Sequence, residues 1–183
     1  MQPTVQARLD RRHHASCRRT LIAAALAATV VSVAATAYAQ DTKEVQKSGD
    51  WTLFSHSGQS PMCFLTARAR ESEPKGQRRA GHFYITSWPK DGVKRELSVS
   101  LGAALKAGSE VIVAVGPTKF KFFAQGDKAF ISAGPDEAKM LASLKKGNLL
   151  TVDATSAAGA QLKDKYSLIG IGQGIQSLDK GCN

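Results

Sequence analysis

From Asp50 onward the chain is a series of short apolar runs separated by turn residues, and within most runs apolar and polar positions alternate. Arg95 to Leu101 is the cleanest case: Leu97, Val99 and Leu101 fall on one face, with Glu96, Ser98 and Ser100 on the other. A strict period of two predicts a sheet with one wet face. Asp50–Phe54 puts Trp51 and Leu53 on a common face, Met62–Arg68 does the same with Cys63, Leu65 and Ala67, and His82–Trp88 sets Phe83 and Ile85 against His82, Tyr84 and Thr86. Asp91-Gly92 and Gln125-Gly126-Asp127 carry hairpin turn chemistry. Between those turns, Val111 to Val115 is continuously apolar and β-branched, which predicts a strand covered on both faces. Lys119 and Lys121 alternate with Phe120 and Phe122, and further strands are expected at Asn148–Thr155 and Asp164–Ile169.

Glu71 to Ala80 is charged, holds Pro74 and Gly76, and is expected as a loop. One segment changes period. Pro135 to Gly147 begins with proline and acids, ends with lysines and glycine, and aligns Ala138, Leu141 and Leu144 on one stripe, the signature of a helix. The tail has an expected short helical turn around Ile175 and Leu178. The prediction is an all-β, immunoglobulin-like antiparallel β-sandwich of about nine strands with one helix near 135–146. A small closed β-barrel is the alternative.

The first 39 residues stand outside this pattern. Arg8, Arg11, Arg12, Arg18 and Arg19 precede an uncharged run from Leu21 to Ala37, and Ala37-Tyr38-Ala39 meets the small-x-small rule, so cleavage is expected between Ala39 and Gln40. The run is alanine-rich and only weakly apolar, which favours removal over a retained anchor. The expected organisation is therefore a signal peptide at 1–39, a flexible lead-in at 40–48 and a single domain at 49–183. Arg18-Arg19 leaves both general and twin-arginine export open. The destination is the periplasm, with outer-membrane association or release as its extensions.

Export changes the charge and cysteine arithmetic. Of 25 Lys+Arg and 15 Asp+Glu, five arginines and one aspartate fall in 1–39, leaving 20 and 14 and a net charge of +6. Those cations are interspersed with acids, which argues against nucleic acid and leaves an anionic envelope surface as the basic partner class. Arg78, Arg79, Lys94 and Arg95 are its candidate contacts. Cys17 departs with the signal, so Cys63 and Cys182 remain as one pair. In an oxidising compartment they are expected as a structural disulfide, worth about 4–5 kcal/mol in the chain-entropy model for so long a loop. A catalytic thiol is the competing reading.

Chemistry-bearing motifs are scarce. His56 and His82 have no metal-ligand spacing around them, Gly-x-Ser-x-Gly and Ser-x-x-Lys are absent, and Gly170-Ile171-Gly172-Gln173-Gly174 fails as a nucleotide loop because Ile175 follows. No catalytic residue, metal or cofactor is assigned. Trp51, Trp88, Phe83, Phe120, Phe122 and Phe123 are at strand spacing and are expected chiefly in the core.

An ordered set of segments carries a resemblance. Gly49-Asp50-Trp51-Thr52-Leu53-Phe54 is followed by Cys63-Phe64-Leu65, Phe83-Tyr84-Ile85-Thr86 and Glu96-Leu97-Ser98-Val99-Ser100-Leu101-Gly102. Lys106-Ala107-Gly108-Ser109-Glu110-Val111 comes next, then Phe120 to Phe130 with Gly126-Asp127 at its turn, Leu144-Lys145-Lys146-Gly147, and Tyr166-Ser167-Leu168 with the terminal cysteine. Together they resemble the invasion-associated locus B family of exported alphaproteobacterial proteins. The resemblance implies an envelope-associated β-sandwich without established catalytic residues, linked in pathogenic members to host-cell entry. Some members carry a further cysteine after the first strand, where this chain has Ser55-His56, so only Cys63 and Cys182 carry over as a pair. The expectation is a non-enzymatic envelope interaction module whose partner is an envelope or host-surface protein or glycan. A small periplasmic hydrolase or thiol-redox protein is the alternative.

Overall fold

The computed structural model describes residues 42–181; the signal segment, the Ala39–Gln40 junction and Cys182 lie outside that range. Eleven strands form one antiparallel ladder: β1 (Thr42–Ser48), β2 (Trp51–His56), β3 (Met62–Arg68), β4 (Glu71–Glu73), β5 (His82–Trp88), β6 (Val93–Ser100), β7 (Glu110–Val115), β8 (Thr118–Gln125), β9 (Lys128–Phe130), β10 (Leu149–Thr155) and β11 (Gln161–Ser167). Their order across the ladder is β1-β2-β3-β5-β6-β9-β8-β7-β10-β11-β4. Helices α1 (Pro135–Lys146) and α2 (Ile171–Gly181) complete the chain. The architecture is all-β and sandwich-like. β1 and β4 end the ladder without pairing to one another, so the closed barrel does not form.

The alternating residues make one shared core. Phe83 on β5 meets Trp51 of β2 at a ring-centroid distance of 6.2 Å, Phe122 of β8 at 6.3 Å and Tyr166 of β11 at 6.1 Å. The two halves of the ladder therefore face each other across these rings, and the Trp51 indole N–H donates to the Ser167 carbonyl at 3.0 Å. Burying such large side chains is worth about 1.5–3 kcal/mol each. Met140 and Leu144 bring α1 into the core; Ile171, Ile175 and Leu178 bring in α2.

Four departures from the sequence expectation have physical causes. Thr42–Ser48 is an edge strand in place of a flexible lead-in. Its side chains are exposed up to Ser48, so main-chain pairing with β2 carries it. Glu71–Glu73 interrupts the expected loop with a three-residue strand against β11. Val111–Val115 is covered on one face, with Val111, Val113 and Val115 buried and Ile112 and Ala114 half-buried. The tail is an eleven-residue helix, because three apolar side chains at helical spacing dock on the core and outweigh its glycines.

Candidate functional site

Residues at even positions of β2, β3, β5 and β6 point away from the core, and there the chain places aromatic side chains where a wet sheet face ordinarily carries polar ones. Phe54 pairs with Phe64 across β2 and β3, their rings stacked at 5.2 Å, and Phe64 reaches Tyr84 at 6.1 Å. The row continues in register from Tyr84 to Ser98, Phe130 and Phe123. Phe123 and Phe130 stack at 5.8 Å, and Phe123 is 50% exposed, against its expected place in the core. This cover buries Thr86 and Ser98 on a face that the alternation left to solvent. Burial and the nearby Asp127 carboxylate raise the Tyr84 phenol above its ordinary value.

One flank of the row is cationic. Arg68, His82, Ser100 and Lys128 lie in register across β3, β5, β6 and β9. A shallow depression there is bounded by Arg68, Arg79, His82, Tyr84 and Asp127. At the Phe130–Phe123 end of the row a groove of about 990 Å³ opens between β6, the β8–β9 hairpin and the first turns of α1. Val93, Phe123, Phe130 and Leu141 give it apolar walls, and Glu96 and Glu137 give it acids. Burial raises the Glu137 carboxyl above its ordinary value; the Gly134 backbone bond opposes this, and the Glu96 charge adds to it.

The four arginines and lysines expected to meet an anionic surface do not share an environment. Arg79 and Lys94 are exposed. Arg95 is held by Asp179 of α2 through two bonds of 2.7 and 2.8 Å, with 37% of its side chain exposed. That charge-assisted bond raises the Arg95 guanidinium further. Arg78 is a correction. Its side chain is 3% exposed and gripped bidentately by the fully buried Asp164, at 2.5 and 3.3 Å. It also donates to the carbonyls of Leu101, Glu73 and Lys163 at 2.6, 3.0 and 3.2 Å. An arginine so engaged fastens the 74–81 loop to β11 and has no face left for a partner. Tyr166 completes the cluster by donating to Asp164 at 3.1 Å, and desolvation together with that carboxylate raises its phenol strongly.

The histidines are not brought together. His56 pairs with Met62 and His82 with Arg68, at opposite ends of β3. Their Nδ1 atoms are engaged locally, with the Thr42 hydroxyl at 2.8 Å and the Ala80 carbonyl at 3.2 Å. Among the described residues no three His, Cys, Asp or Glu side chains converge as metal ligands. No described helix is long and apolar enough to cross a membrane. The Cys63 Sγ is buried and lies 3.8 Å from the Gly181 carbonyl oxygen, one residue short of Cys182.

Comparison with known proteins adds the family. The crystal structure of invasion associated protein b from Bartonella henselae superposes with a TM-score of 0.53 at 17% identity, covering 73% of this chain and 94% of that one. At that identity the likeness is one of fold. No curated protein sequence matches the chain. The family model for invasion associated locus B protein matches residues 51–179, from the first core tryptophan to the aspartate that holds Arg95. The chain belongs to the invasion associated locus B family.

Proposed function

We propose that this protein is a non-enzymatic interaction module of the bacterial envelope, exported through its 1–39 signal, which meets a partner with the outer aromatic face of its sheet. The observation that carries the reading is the row Phe54, Phe64, Tyr84, Phe130 and Phe123, which places half-buried and exposed rings on a face that a solitary domain fills with polar residues. Aromatic side chains give large contact area at low conformational cost, and the cations at Arg68, Arg79 and Lys128 orient the face towards an anionic partner. Family membership supports a role at the cell surface, in host entry where the source is a pathogen.

The same reading includes a bridge between Cys63 and Cys182. It is supported by the 3.8 Å approach of the Cys63 sulfur to the carbonyl oxygen of Gly181, the residue that precedes Cys182 in the sequence. Non-reducing peptide mapping is expected to recover the two cysteines in one linked pair, and two unlinked thiols overturn the bridge.

The interaction face is tested with a photo-crosslinking amino acid placed at Phe64 or Tyr84, and at Lys163 on the other half of the ladder as a control. Crosslinks to an envelope component from the first two positions alone support the face. Equal yields from all three refute it. Turnover of ester, peptide or glycan substrates that disappears in His82→Ala or Cys63→Ser establishes the hydrolase or thiol-redox alternative instead.

A further inference from the structure

The depression on the cationic flank is lined by polar groups that the fold leaves unspent. Arg68 and Arg79 are exposed there, and His82, Tyr84, Ser100 and Asp127 are half-buried. Among the described residues, the guanidiniums of Arg68 and Arg79 and the hydroxyls of Tyr84 and Ser100 take part in no hydrogen bond or ion pair. His82 engages the Ala80 carbonyl through Nδ1 at 3.2 Å, which leaves Nε2 as its remaining polar atom. Burial and the Asp127 charge raise the Tyr84 phenol, so it keeps its proton and stands as a donor. Asp127 is the one acid lining the depression, against Arg68 and Arg79 within it and Lys128 beside it.

The main chain beneath these groups is fixed. Arg78, one residue before Arg79, is held by Asp164 and by three carbonyls. The Ala69 N–H donates to the Gly81 carbonyl at 2.9 Å, which fastens the end of the loop beside β3. Gly102, at φ +69°, has the Arg79 carbonyl where a β-carbon would lie, so glycine is what lets that turn close on Arg79. A frame set before the ligand arrives loses less freedom on binding. The chemistry of the lining then selects among ligands. Its donors come from β3, β5, β6 and the 74–81 loop; a tetrahedral oxyanion accepts from several directions, where a carboxylate accepts in one plane. Asp127 repels a bare anion but accepts from hydroxyl groups, and the Tyr84 ring offers an apolar surface to a flat C–H face.

We infer that this depression binds a phosphate-bearing sugar of an envelope glycan, with the phosphomonoester on Arg68, Arg79 and Ser100, the sugar hydroxyls on Asp127 and the sugar ring against Tyr84. The inference rests on the interaction reading above and gives its partner a chemistry. The arginines supply the charge that draws the phosphate in, and Asp127 with Tyr84 supplies the preference for a sugar over the free anion. A depression of about 400 Å³ has room for one such unit.

The probe is α-D-glucose 1-phosphate, titrated in phosphate-free buffer into the isotopically labelled full chain and followed by amide and tyrosine-ring shifts. Saturable shifts are expected at His82, Tyr84, Ser100 and Gly102, with inorganic phosphate bound about ten-fold more weakly. The double change Arg68→Gln with Arg79→Gln, at two exposed positions, is expected to weaken binding about ten-fold or more, and Lys145→Gln on α1 to leave it unchanged. Asp127→Asn is expected to strengthen inorganic phosphate and to narrow the lead of the sugar phosphate, a gain that no folding defect produces. Equal losses from the arginine pair and from Lys145 overturn the site, as does the absence of binding at about ten millimolar probe. Inorganic phosphate or a phosphoserine tripeptide bound as tightly as the sugar phosphate overturns the sugar assignment. Crosslinks from Phe64 to an envelope protein, with no sugar phosphate bound, overturn this inference and leave the outer-face reading standing. Failure of that reading shows separately, as equal crosslinking yields.

Discussion

Two arginine–aspartate pairs, alike in chemistry, do different things here. Arg78–Asp164 is sealed inside, at 3% and 0% side-chain exposure, and ties a loop to β11. Arg95–Asp179 lies at a rim, at 37% and 33%, and ties β6 to α2 beside the groove. In water an ion pair gains little over its two hydrated partners, so the rim pair is a weak latch. Inside, neither charge has water to fall back on, and each depends on the other and on the carbonyls around it. Burial, and not the residue types, separates a structural staple from a surface contact.

The contrast gives a ranked series of experiments. Arg78→Ala or Asp164→Ala is expected to cost about 3–5 kcal/mol of unfolding free energy, because either change strands a buried charge. Denaturant unfolding measures it, and a cost near that of a surface substitution would remove Arg78 from the structural role. The double change Arg78→Met with Asp164→Leu is expected to recover much of the loss by replacing the pair with apolar volume. Gly81→Ala comes next, at about 1–3 kcal/mol, since a methyl group there collides with the Asp164 carboxylate and the Tyr166 hydroxyl. Its cost is expected to fall well short of additivity with Asp164→Ala, which vacates the same space.

Arg95→Ala or Asp179→Ala is expected to cost only about 0–1 kcal/mol, and less still at high salt. A loss as large as that of Arg78→Ala would erase the distinction between the pairs. The smallest effect concerns Glu137, which has an acid where Arg95 has a partner. Its carboxyl titrates above the ordinary 4.5 in the folded protein, so the folded state binds the proton more tightly than the unfolded one. Stability from this group is present below 4.5 and lost as pH rises through the raised folded value. Glu137→Gln should flatten that decline in unfolding curves taken across the acid range, and an unchanged slope would place its cause elsewhere.

Legibility followed the same line between what alternation encodes and what assembly decides. β3 and β5 end where their apolar period ends, at Met62–Arg68 and His82–Trp88, because burial on one face writes the strand into the sequence. β1 left no such trace, since Thr42–Lys47 buries nothing and gains only main-chain bonds. Ile171–Gly181 looked like a turn because its glycines oppose a helix locally, and its apolar spacing is rewarded only on the finished core. At the candidate site, Phe54, Phe64 and Phe123 were ordinary strand aromatics until the register aligned them on one outer face. Arg78 followed an acid-and-proline loop beside Arg79 and read as surface charge. Its counter-ion is 86 residues away, a distance no local pattern spans.

α2 lies against β1, β2 and β3, and Gly174 fits over Leu65 with no room for a β-carbon. Helix α2 thus roofs strands that precede it by more than a hundred residues, and Trp51 finds its acceptor only at Ser167. A chain in which residues 171–181 are not yet free to pack has no roof to close. The hydrophobic interior over β1 to β3 is therefore sealed only once residues 171–181 have joined it, however early those strands pair with one another.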